Sequence, residues 1–78
     1  AHERATEAML MGLRLTEGVD LARIETRSGL GREAFVDANA VARLVDQGLM
    51  TLEDNQLTVT DEGILLLDSI LSAVVRTG

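Results

Sequence analysis

Few residues in this chain are of a type that does chemistry. Three carboxylate pairs stand out: Asp61-Glu62, Glu53-Asp54, and Glu17 with Asp20. General acid–base catalysis uses such pairs. Each pair also sits where a simpler role is open to it, in a first helical turn, a tight turn or a helix cap. Met9 and Met11 stand close to Arg14. A thioether ligates haem iron and a guanidinium grips a propionate, so these residues have the makings of a haem or porphyrin contact. Methionines on an apolar helix are far more often core filling. His2 is the only histidine, and its place beside the terminus suits a metal or haem ligand poorly. The chain has no cysteine, which removes thiol catalysis and iron–sulfur ligation by this segment. There is no nucleophile–histidine pair, no metal-ligand spacing and no glycine-rich phosphate loop. The expected catalytic set is empty, and so is the metal set.

Charge narrows the partners. The net charge is −6, and all seven basic residues are arginines scattered from Arg4 to Arg76. DNA and acidic membranes are disfavoured by the long-range field of such a chain. No apolar run approaches the roughly 20 residues of a membrane span, and no secretory signal is visible. A cytoplasmic protein is the expectation.

The elements that must position these residues are legible from pattern. A first helix is predicted from about Glu3 to Leu15, with Ala5, Ala8, Met9, Gly12 and Leu13 on one face. Gly18 ends that segment in the left-handed conformation. Asp20 caps a short helix from Leu21 to about Arg27, with Leu21 and Ile24 inward and Ala22 open to the same face. Ser28-Gly29-Leu30-Gly31 makes a turn, and a third helix follows from about Arg32 to Gln47, with a restart at Asp37 open to it. Its apolar stripe is Val36, Ala40, Val41, Leu44 and Val45. Gly48 closes it. Met50 to Glu53 and Leu57 to Thr60 alternate apolar and polar around Asp54-Asn55, the signature of a hairpin. Met50, Leu52, Leu57 and Val59 form its inner face. Thr60-Asp61-Glu62-Gly63 caps a last helix whose core stripe is Ile64, Leu67, Ile70, Leu71 and Val74. Four helices and a small two-stranded hairpin make a mainly α fold, a winged helix containing a helix-turn-helix. The 78 residues form one small domain with an aliphatic core, since Phe35 is the only aromatic residue.

Winged helices usually bind DNA, and here the charges oppose it. Arg32 and Arg43 on the third helix are outnumbered by Glu33, Asp37 and Asp46, and the hairpin tip adds Glu53 and Asp54. Tight DNA binding rests on phosphate contacts on the order of 6–10 in strong cases. No nucleic-acid partner is expected.

The run Glu7-Ala8-Met9-Leu10-Met11-Gly12-Leu13-Arg14-Leu15-Thr16-Glu17-Gly18-Val19 resembles the motif that opens the C-terminal domain of the oxygen-independent coproporphyrinogen III oxidase and haem chaperone family. Gln47-Gly48-Leu49, Leu57-Thr58-Val59-Thr60-Asp61-Glu62-Gly63 and Leu67-Asp68-Ser69-Ile70-Leu71 resemble the rest of that domain in order. The resemblance implies a larger radical S-adenosylmethionine parent, whose barrel carries a 4Fe-4S cluster on a C-x3-C-x2-C motif absent here. Cluster, S-adenosylmethionine and radical chemistry would then belong to that barrel. This segment would be a non-catalytic domain that docks on and covers it, in porphyrin and haem biosynthesis or in haem transfer. The missing initiator Met and the uncapped start Ala1-His2-Glu3-Arg4 fit a domain excised from a larger protein.

Two groups of residues are candidates for a site. Arg14, of the matched motif, has the reach and charge for a porphyrin propionate or an interdomain carboxylate. A plainer role is to complement the end of the first helix or to pair with Glu17 or Asp20. The second group reflects apolar excess. A surface helix needs an apolar arc of roughly 100°, and Leu10, Met11 and Leu15 on the first helix and Leu65, Leu66 and Val75 on the last overfill it. These are the candidate docking residues against the parent barrel, and the isolated domain is expected to leave them partly exposed to solvent or to self-associate through them. The competing reading is a winged-helix transcription regulator or protein-interaction module.

Overall fold

The computed structural model describes residues 2–76, so Ala1 of the uncapped start lies outside the described residues. Helix α1 (His2–Gly12) is followed by strand β1 (Val19–Asp20), helix α2 (Leu21–Ser28), a 3-10 turn (Arg32–Ala34) and helix α3 (Ala38–Asp46). Strands β2 (Met50–Glu53) and β3 (Gln56–Val59) form the hairpin, and helices α4 (Asp61–Ile64) and α5 (Leu67–Val74) close the chain. This is the mainly helical winged-helix order that the sequence predicts, with three refinements.

The first refinement is the corner after α1. The sequence predicts a helix as far as Leu15, but the N–H groups of Arg14 and Leu15 donate to Met11 and Gly12 carbonyls only three residues back, at 3.3 and 3.0 Å. The coil tightens there because the chain must pass close to β1: a Cβ on Gly12 would overlap Cγ1 of Val19. Gly18 then takes φ 74°, the expected left-handed stop, and a Cβ on it would overlap the Leu57 carbonyl. Any other residue at position 18 would meet both penalties.

The second refinement is the sheet. Val19 pairs with Leu57 and Asp20 with Gln56, so β1 joins the hairpin and the antiparallel order is β1-β3-β2. Two residues are too few to show alternation, which is why pattern alone predicts only two strands. The hairpin register is Met50–Val59, Thr51–Thr58, Leu52–Leu57 and Glu53–Gln56. Its two-residue loop places Asp54 at φ 55°, a conformation that a short polar side chain tolerates.

The third refinement is in the helices. Asp37 does restart α3: its carboxylate accepts from the Asn39 and Ala40 N–H groups at 3.1 and 3.2 Å. Its own N–H donates to the Val74 carbonyl at 2.8 Å, which takes it out of any continuous helix from Arg32. The last helix is broken. Thr60 caps α4 through the Gly63 N–H and donates to the Gly48 carbonyl. Gly63 lies against the Leu49 carbonyl. One turn is thus held to the sheet, while α5 must follow the core, and the two directions part at Leu65-Leu66. Ile64, predicted in the core stripe, is consequently exposed.

The core draws on every element except α4 and the 3-10 turn. Met9, Leu13, Phe35, Leu57 and Val74 are fully buried, with Leu21, Ile24, Val41, Met50 and Ile70 beside them. No helix among the described residues is long and apolar enough to cross a membrane.

Candidate functional site

The motif from α1 into β1 separates side chains by depth. Met9 and Leu13 face inward and are sealed, while Met11 and Leu15 are 71% and 57% exposed. The spacing explains this, since positions four apart share a helix face and positions two apart do not. The sealed Met9 thioether fills the core and is not available to a ligand. Leu10 is half-buried against the core.

Arg14 is exposed at the same corner. Among the described residues the only salt bridge joins Arg32 to Glu25 at 2.9 Å, so Arg14 forms no pair with Glu17 or Asp20. The Asp20 carboxylate instead caps α2, accepting from the Arg23 N–H at 3.2 Å. His2 is engaged as well, its Nε2 lying 2.6 Å from the Ala34 carbonyl oxygen. Among the described residues no three His, Cys, Asp or Glu side chains converge on a metal-sized site.

The break between α4 and α5 presents the second set. Leu65 is 86% and Leu66 49% exposed, and Ile64 stands exposed beside them. Val75 is different. Its backbone bridges Val36, and its side chain is half-buried against the core. Of the candidate docking residues, then, Met11, Leu15, Leu65 and Leu66 project into solvent, and Leu10 and Val75 largely serve the core. Ile64 is an exposed residue that sequence reasoning misses. The available signal is the unbroken run Ile64-Leu65-Leu66-Leu67 behind a helix cap, too apolar for one stripe.

A further apolar surface lies between α3 and the hairpin. Val36, Ala38, Val41, Ala42, Val45 and Leu52 are among those lining a groove of about 490 Å³. Val45 and Leu52, expected in the core, are exposed instead. Leu52 sits on the edge strand β2, whereas Leu57 opposite it lies on the central strand and is covered.

This face carries little positive charge. Arg43 is the one basic residue within α3. Arg32 lies outside it and is spent internally, donating to Glu25 Oε1 at 2.9 Å and to Asn55 Oδ1 at 2.7 Å. The Asn55 carbonyl accepts the Leu21 N–H at 2.8 Å. The hairpin tip is therefore fastened to α2 rather than extended, and Glu53 and Asp54 leave it acidic.

Comparison with known proteins agrees with this geometry. Residues 1–66 match the family model described as the HemN C-terminal domain. The chain is 36% identical over 75 residues to "Radical S-adenosyl methionine domain-containing protein 1, mitochondrial" of Dictyostelium discoideum. That match covers 95% of this chain and 17% of that protein. No solved structure matches. The glycines at the tight contacts, Gly12, Gly18 and Gly63, all lie in the matched span, and the chain belongs to the HemN C-terminal domain family.

Proposed function

We propose that this chain is the non-catalytic C-terminal domain of an oxygen-independent coproporphyrinogen III oxidase-like protein, and that it docks on and covers the catalytic barrel of that parent. The observation that carries the reading is the exposure of Met11, Leu15, Leu65 and Leu66. Large aliphatic side chains gathered at two turns of so small a domain mark surfaces that another body covers. Arg14, unpaired among the described residues beside Met11 and Leu15, is assigned to an interdomain carboxylate or a porphyrin propionate.

The donor set does not fit an iron–sulfur cluster, because the chain has no cysteine. The 4Fe-4S cluster and S-adenosylmethionine are assigned to the parent's other domain, and the radical chemistry goes with them. Parent chemistry is assigned to porphyrin and haem biosynthesis or haem transfer, in the cytoplasm. The transcription-regulator reading has the topology in its favour, but the fastened acidic hairpin tip and the single arginine of α3 oppose it.

The test uses the full-length parent. Leu65→Asp with Leu66→Asp, and separately Met11→Asp with Leu15→Asp, should lower porphyrin turnover or haem transfer and open the domain junction to protease. Thermal stability should hold. If both pairs leave activity and protease protection unchanged, the docking reading fails.

A further inference from the structure

Two clefts run along α2 on the side of α1 and share Ala8, Ile24 and Arg27. The first, of about 390 Å³, is lined by Arg4, Ala5, Ala8, Ile24, Arg27 and Ser28. Its floor is apolar, since Ala5 and Ile24 are buried. Two arginines, Arg4 and Arg27, stand among its lining residues, and no carboxylate does. The second cleft adds Arg23, one helical turn before Arg27, beside Glu17 and Asp20. On a chain of net charge −6, the first notch has the opposite sign to the molecule as a whole.

A structural role accounts for one of the two arginines but not for the other. Arg27 lies in the last turn of α2, where a cation is favoured by the helix dipole. Arg4 lies in the first turn of α1, the end where a cation is disfavoured. Neither forms a salt bridge among the described residues. The Ser28 hydroxyl is already used, donating to the Ile24 carbonyl at 2.7 Å and accepting from the Leu30 N–H at 3.2 Å.

We infer that the α1–α2 notch is a docking site for an acidic protein segment, one that presents a carboxylate or two on an apolar backing. Arginine forks bind carboxylates in two-point fashion, and the Ala5-Ala8-Ile24 floor accepts aliphatic carbon. A polyanion such as nucleic acid is repelled by the rest of the molecule in proportion to its charge, whereas a segment with few carboxylates is repelled far less. The site uses none of the residues assigned to the barrel contact, so the two readings stand or fall separately.

The experiment is a titration of this chain, followed by NMR, with a short acetylated peptide bearing glutamates on one side and leucines on the other. Its glutamine counterpart, inorganic phosphate and a duplex oligonucleotide are the comparison probes. The glutamate peptide should shift amide signals of α1 and α2, weaken with added salt, and lose about tenfold or more in affinity in the Arg4→Gln/Arg27→Gln double variant. Arg43→Gln, on α3, should bind as the unsubstituted chain does. The inference is overturned by no binding, by equal binding of the glutamine peptide, or by retention of affinity in the double variant. It is also overturned if phosphate or the oligonucleotide binds more tightly through the same arginines.

Discussion

The corner after α1 and the joint between α4 and α5 both interrupt a helix and both leave large aliphatic side chains in solvent, yet they are built differently. At the corner, sealed and exposed residues interleave: Met9 and Leu13 are fully buried while Met11 and Leu15 project. The backbone there is clamped, with Gly12 against Val19 and Gly18 against the Leu57 carbonyl. At the joint only the start is clamped, through the Thr60 cap and Gly63. The exposed run Ile64-Leu65-Leu66 hangs between that clamp and α5 with no buried member of its own. The corner motif is thus first a packing device, and its exposed face comes second. The joint is a surface feature that the core tolerates.

Of the substitutions that probe this contrast, Gly18→Ala should have the largest effect. It adds a methyl where φ is positive and where the Leu57 carbonyl occupies the space, so a loss of about 3 kcal/mol or more is expected. Urea unfolding followed by circular dichroism measures it. A loss near zero would mean that the corner is not clamped. Leu13→Ala should cost about 2–5 kcal/mol, as for truncation of a fully buried side chain. Its midpoint shift, compared with that of Leu65→Ala, ranks the two regions directly. Leu65→Ser should change stability by no more than about 0.5 kcal/mol, because the side chain is mostly in water. A larger loss would show that the joint carries packing after all.

Much of the architecture is legible in the sequence because its signals are local. The caps at Asp20, Asp37 and Thr60 all hold as read, and so does the left-handed stop at Gly18. What pattern could not show depends on distant partners. Strand β1 exists because Leu57 and Gln56 are there to pair with it. The break at Leu65-Leu66 exists because Gly63 must meet Leu49 while α5 follows the core. That break moves Ile64 out of the predicted core, and the edge position of β2 does the same for Leu52. Of the residues singled out by excess apolar width, Met11, Leu15, Leu65 and Leu66 are exposed. That width does not distinguish them from Leu10 and Val75, whose depth is set by neighbours far along the chain.

The end of α5 is stitched to the middle of the chain, and that seam has a kinetic consequence. It consists of the Val36–Val75 bridge, the Arg76 N–H to Phe35 carbonyl bond at 3.0 Å and the Asp37 N–H to Val74 carbonyl bond at 2.8 Å. The Thr6 hydroxyl reaches the Arg76 carbonyl across 70 residues of sequence, and His2 reaches Ala34 across 32. Contacts of such long separation, like the β1–β3 pairs, carry a larger loop-closure cost than the hairpin and the α1–α2 pair, which close over short loops. The seam is therefore expected to form late, together with the β1–β3 pairing that closes over a similar length of chain. Weakening it should speed unfolding more than it slows folding, which stopped-flow rates of a variant in the seam would measure.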